Sequence, residues 1–210
     1  MGNPGRLPPQ PRRAVLAAII GATVILAAGI AAPPTSSGPY VRPLGNVLLA
    51  STTSLLADGG TTVNFVDGVT LTVASGWTIT KSWDTGIWAH NGGNTAQIGI
   101  STGKPHAPDI TGEMAWLINA DTTVLGYTNV VRDPYPDGAQ AVHGKNFTQA
   151  FLVGYTADYQ SDQGTINYQG FWVVLFNLST QLSACINLRA GAGTLDAAMP
   201  AAHDMIGSML

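Results

Sequence analysis

The sequence is short of charge and almost without cysteine. Asp, Glu, Lys and Arg make up 10% of its 210 residues, against about 25% in ordinary soluble domains. Its surface must therefore be built from Thr, Ser, Asn, Gln and Gly. A single cysteine, Cys185, excludes an internal disulfide and with it a disulfide-stapled secreted fold. It also stands far from the N-terminal hydrophobic run, which excludes a lipoprotein anchor. Basic residues are scarcest where a partner surface would need them. Three of the nine Lys and Arg are Arg6, Arg12 and Arg13, so the rest of the chain carries six against twelve Asp and Glu. This leaves no basic patch for nucleic acid or for charge-driven docking on anionic lipid. The four histidines, His90, His106, His143 and His203, lack metal-ligand spacing. No cofactor motif is found, and there is no internal repeat.

What is there begins with residues 14–32, AVLAAIIGATVILAAGIAA, nineteen residues without a charge. At about 1.5 Å per residue they reach roughly 28 Å, close to a hydrocarbon core of about 30 Å. The three arginines precede them, which places residues 1–13 in the cytoplasm and the remainder outside. This reads as a single-pass signal anchor in the cell membrane. Gly29-Ile30-Ala31 offers a cleavage site as the alternative, and cutting there would leave a secreted protein. Residues 33–62 form a Pro/Ser/Gly-rich tether followed by a segment of no clear type. Residues 63–210 form one extracytoplasmic domain.

Within it, Val69, Leu71 and Val73 alternate with Thr70 and Thr72, the period of a half-buried strand. After Ser75-Gly76, Trp77, Ile79 and Trp83 alternate with Thr78, Thr80 and Ser82. Asn91-Gly92-Gly93-Asn94 joins a hairpin, 85–90 to 95–101. Asp109 or Thr111 caps a helix whose apolar stripe is Ile110, Met114, Leu117, Ile118 and Leu125. Residues 127–131 return as a strand, and 133–138 (DPYPDG) turn. Two long strands follow, 145–159 and 165–178. The second contains the continuous apolar run 171–176 and is central, covered on both faces. Leu182, Ala184, Ile186 and Leu188 alternate with Ser183, Asn187 and Arg189, the pattern of a strand buried on one face. A helix from Thr194 ends the chain, with Pro200 kinking it or marking its start. The fold class is α+β: an antiparallel sheet with two helices packed on it, both on one face.

Gly99-Ile100-Ser101-Thr102-Gly103 matches the G-x-S-x-G elbow of serine hydrolases. That makes Ser101 a weak nucleophile candidate, because Pro105 and Pro108 delay the helix the elbow requires. His106 and Asp109 share one loop, and Asp133/Asp137 and Asp158/Asp162 flank turns, where such residues favour turn geometry. Trp77, Trp116 and Trp172 read as core fillers. Trp83 and Trp88 flank the Asp84-Thr85-Gly86 bend and are the candidate binding residues. Cys185 reads as a buried, inert thiol.

The segment VTLTVASGWTITKS, residues 69–82 with its Gly76-Trp77 turn, resembles the opening of the Mog1/PsbP-like fold. The closing FWVVLFNLSTQLSACINLRAG and the terminal helix are similar to the same family, nearest the exported actinobacterial LpqN-type branch. The resemblance covers roughly residues 64–210. It departs at the anchor, where the LpqN-type pattern has a lipid-modified cysteine. The resemblance implies a binding or scaffolding domain at the cell envelope and supplies no catalytic residues. The expected function is a non-enzymatic envelope protein that binds a protein, lipid or glycan. An accessory subunit of a membrane complex is the alternative, and a small secreted serine hydrolase the outlier.

Overall fold

The structure is a computed structural model that describes residues 60–133 and 138–210. The anchor or signal segment, most of the tether and Asp137 lie outside the described residues. Among the described residues no helix is long and apolar enough to cross a membrane.

The described residues form ten strands and two helices in the order β1 (Thr61–Asn64), β2 (Thr70–Val73), β3 (Trp77–Trp83), β4 (Gly86–Asn91), β5 (Ala96–Gly103), α1 (Ile110–Leu125), β6 (Tyr127–Arg132), β7 (Gln140–Ala141), β8 (Gln149–Ser161), β9 (Gly164–Asn177), β10 (Leu182–Gly191) and α2 (Leu195–Gly207). The main sheet has the order β3-β4-β5-β10-β9-β8-β6, with β7 beside β8, and β1-β2 form a separate hairpin. Every pairing is antiparallel.

The hairpin at Asn91 closes because its side-chain carbonyl accepts the amides of Thr95 (2.8 Å) and Ala96 (3.1 Å), while Asn94 takes a left-handed φ of 53°. Asp109 caps α1 by accepting from Gly112 N at 2.8 Å, and Gly126 ends the helix at φ 67°. Helix α2 runs from Leu195 through Pro200 to Gly207, so Pro200 does not mark its start.

The two helices lie on opposite faces of the sheet, which corrects the expectation that they share one. Leu195, Ala198, Ala202 and Met205 of α2 join Leu71 and Val73 of the hairpin over Ile98, Ile100, Ile186 and Leu188. Met114, Leu117 and Ile118 of α1 pack over Phe151, Val153, Trp172 and Val174. The reason is visible in β9, where Phe171, Trp172, Val173, Val174, Leu175 and Phe176 are all buried. Successive side chains point to opposite faces, so a continuous apolar run needs a cover on each. The same holds for β10. Ser183, Asn187 and Arg189, read as its exposed face, are only 3%, 3% and 7% exposed.

Candidate functional site

The polar face of β10 is buried under α1 because α1 brings acceptors to it. Glu113 and Asp121 are eight residues apart, with Leu117 between them. They therefore share the inward stripe of the helix. Glu113 is fully buried. It accepts the amides of His106 (2.6 Å) and Ala107 (3.0 Å), the Ser183 hydroxyl (2.9 Å) and the Cys185 thiol (3.5 Å), and its other oxygen contact is His106 Nδ1 at 3.2 Å. Burial alone would raise its pKa. The hydrogen bonds from His106, Ser183 and the backbone outweigh burial and hold it below the ordinary value. Glu113 thereby ties the 104–109 loop to the sheet. Cys185 is pushed the other way: burial, then the Glu113 charge, raise its thiol well above the ordinary range, so it stays a protonated thiol.

Asp121 Oδ2 accepts from Trp172 Nε1 at 2.9 Å and from Asn187 Nδ2 at 2.6 Å. Tyr155, stacked on Trp172 with centroids 3.9 Å apart, donates to Asn187 Oδ1 at 2.8 Å. Burial pushes the Asp121 carboxyl up to about 6 against the hydrogen bonds from Trp172 and Asn187 and the charge of Arg189. Arg189 is buried without a carboxylate within 4 Å among the described residues. It donates to Gln97 and Tyr127 and lies 5.3 Å from the ring centroids of both Trp88 and Tyr168.

Beside this network, between α1 and the β3-β4 edge, a cavity of about 110 Å³ opens. Its floor is Gly99, Ser101 and Gly103 of β5 with Ser183, Cys185 and Asn187 of β10. The register pairs Gly99 with both Trp88 and Asn187, and Ser101 with both Gly86 and Cys185. The small residues leave the sheet bare there, and the indoles lie down on it. A Cβ on Gly99 would meet three consecutive ring atoms of Trp88 at 2.6–2.8 Å, so that ring lies flat on the glycine. Trp83 lies on Gly86 in the same way, two of its ring atoms 2.5 and 2.6 Å from a Cβ there. Trp116, Leu117, Ala120 and Asp121 form the helical wall. Trp116 is stacked on His106 with centroids 3.4 Å apart.

The structure thus brings Ser101, Trp83 and Trp88 to one cavity, along with Cys185 and His106. Trp83 reaches it through a register shift between Ile79 and Lys81. That bulge separates Trp83 from Ile79, which the sequence alternation had placed on one face. Trp116 packs partly buried against the α1-side core and also walls the cavity; Trp172 is fully buried and Trp77 packs partly buried against the α2-side core. Ser101 lies inside an antiparallel strand rather than at a strand-to-helix turn, and no histidine among the described residues bonds it. The G-x-S-x-G pattern is instead the alternate small residues of a cavity floor. The remaining histidines and carboxylates lie elsewhere: His90 contacts Asn91 O, His203 faces Asp204, and Asp158 accepts from Asn129 and Asn167. Among the described residues no three His, Cys, Asp or Glu side chains are grouped to hold a metal. Asp121, Asn187 and Glu113 were missed from the sequence. The available signal was the i, i+4, i+8 spacing of Glu113, Leu117 and Asp121.

No protein-family model matches the sequence, and no curated protein matches it. Among solved structures, the chain is similar to the Ran-binding protein Mog1p of Saccharomyces cerevisiae at 12% identity and TM-score 0.47, covering 72% of this chain and 92% of that one. It is similar to cyanobacterial PsbP of Synechocystis sp. PCC 6803 at 9% identity and TM-score 0.47, covering 76% and 96%. It is also similar to LpqN of Mycobacterium tuberculosis, described as involved in cell envelope biogenesis, at 17% identity and TM-score 0.44, covering 70% and 87%. These are the proteins that the sequence resemblance names.

Proposed function

We propose that this chain is a non-enzymatic binding protein of the cell envelope, held outside the membrane by residues 14–32, and that its cavity receives part of a partner molecule. The observation that carries the reading is the cavity wall: three tryptophans from separate elements, Trp83, Trp88 and Trp116, around a mostly apolar space with one carboxylate, Asp121. Ligand sites are concave, mainly apolar, and carry a few placed polar groups. The thiol beside the cavity is protonated and no histidine among the described residues bonds the serine, so the wall offers contact rather than covalent chemistry.

Native mass spectrometry on the full-length chain, purified gently from its own membranes, tests the reading. An added mass on the wild type that is lost from the Trp83→Ala, Trp88→Ala double variant is the expected result. A wild-type chain without added mass, whose tryptophan fluorescence is also unmoved by extracts of those membranes, overturns it.

A further inference from the structure

Resting on the cavity as a binding site, we infer that its occupant presents a small organic ammonium group, seated between the indoles of Trp83, Trp88 and Trp116 and the carboxylate of Asp121. Among the described residues the Asp121 carboxylate takes part in no ion pair. Asp121 uses Oδ2 for both of its hydrogen bonds, and Oδ1 has no partner among the described residues. Among the described residues no Lys, Arg or His lies within 4 Å of this carboxylate. The nearest candidate, Arg189, is already engaged by Gln97, Tyr127 and two rings. Lys104, exposed directly after β5, also lines the cavity and makes no ion pair with Asp121. A carboxylate that borders an apolar cavity and has no ion-pair partner within 4 Å is complementary to a ligand that brings a cation.

The walls answer to the same chemistry. Trp88 lies flat on Gly99, with the Arg189 guanidinium 5.3 Å from its ring centroid, and two adjacent ring atoms of Trp83 lie over Gly86. Indole faces are the strongest side-chain partners for cations, and alkylated ammonium ions suit them because their charge is spread over apolar methyl groups. The cavity volume, about 110 Å³, approaches that of cavities of roughly 150 Å³ that admit benzene. A trimethylammonium head fits this scale and a sugar ring with its hydroxyls would leave most of its polar groups unmatched. The indoles and one carboxylate recognise the ammonium whether it belongs to a free solute or to a lipid headgroup.

Calorimetric titration of the full-length chain with choline and with 3,3-dimethyl-1-butanol, its uncharged counterpart of the same shape, tests the inference. Choline is expected to bind at least about tenfold more tightly. Asp121→Asn should abolish that preference, and Trp83→Ala should weaken choline binding with the fold intact by circular dichroism. Equal binding of the two compounds overturns the ammonium and leaves the apolar cavity standing as a binding site. Binding of neither overturns the ammonium as well, and the cavity is then judged by the mass measurement alone. A preference that survives Asp121→Asn also overturns the inference. Dihexanoylphosphatidylcholine below its micellar concentration separates the sources: tighter binding than choline assigns the group to a lipid headgroup, weaker binding to a free amine.

Discussion

Asp121→Asn should make the protein more stable at neutral and alkaline pH. In the folded chain burial pushes this carboxyl from the ordinary 3.8 to about 6. An acid with a raised folded pKa binds protons more tightly when folded. Its protonation therefore favours the fold fully below about 4, and that gain is lost as pH rises through about 6. At about 1.4 kcal/mol per pH unit, the ionised group costs the fold about 3 kcal/mol at pH 8. Asp121 is half-buried at the cavity wall, so about 3 kcal/mol is a ceiling and about 1–3 kcal/mol is the expected gain. Asparagine keeps the side-chain carbonyl that Trp172 and Asn187 need, and it turns an amide into the cavity without a charge. For a domain of this size each kcal/mol moves the midpoint by about 2–4 °C. Thermal melts of wild type and variant at pH 8 should differ by roughly 2–10 °C in the variant's favour. The gap should shrink toward zero at pH 4, where the wild-type carboxyl is protonated too. A variant that melts at or below wild type at pH 8, or a gap of the same size at both pH values, refutes the reasoning. A carboxylate kept at the expense of stability is what a binding group looks like.

Gly99→Ala should displace the Trp88 ring, since a Cβ there meets ring atoms at 2.6–2.8 Å. A loss of about 1–3 kcal/mol in denaturant melts and a shifted tryptophan emission are expected; unchanged emission would show that the ring does not lie on the glycine. Glu113→Ala leaves two amides and a buried hydroxyl without their acceptor and should cost about 3 kcal/mol or more, with faster amide exchange over residues 104–109. Exchange as slow as in wild type would count against Glu113 as the tie. Ser101→Ala should leave stability within about 0.5 kcal/mol, and neither it nor the wild type should react with a fluorophosphonate probe; labelling of the wild type alone would restore the hydrolase. Choline affinity should fall as pH drops through about 6 and Asp121 protonates, levelling off at the affinity of the uncharged counterpart, and a flat profile from pH 7 to 5 would separate binding from that carboxylate.

Local chemistry in the chain was enough for most elements. The Val69–Val73 alternation, the Asn-Gly-Gly-Asn turn, the Asp109 cap and the 171–176 run each act over a few residues, and each appears where its pattern places it. The run at β9 already carried the two-sided burial that sets the helices on opposite faces, but its consequence for β10 was not legible. Ser183, Asn187 and Arg189 look solvated because alternation records only polarity. It does not record that Glu113, Asp121, Gln97 and Tyr127, far away in sequence, will supply partners for them.

The site shows the same division. Trp83 and Trp88 could be singled out from the sequence, and so could the small residues of G-x-S-x-G, though the motif was read there as an elbow. What made them one cavity was decided only in three dimensions. The bulge after Ile79 sends Trp83 to the face of Trp88, antiparallel register sets Gly99 beneath Trp88, and α1 docks alongside to bring Trp116 and Asp121. Residue types determined which elements form, because hydrophobic period and capping are local. Pairing register and helix docking join residues tens of positions apart, and that is where the carboxylate met the indoles.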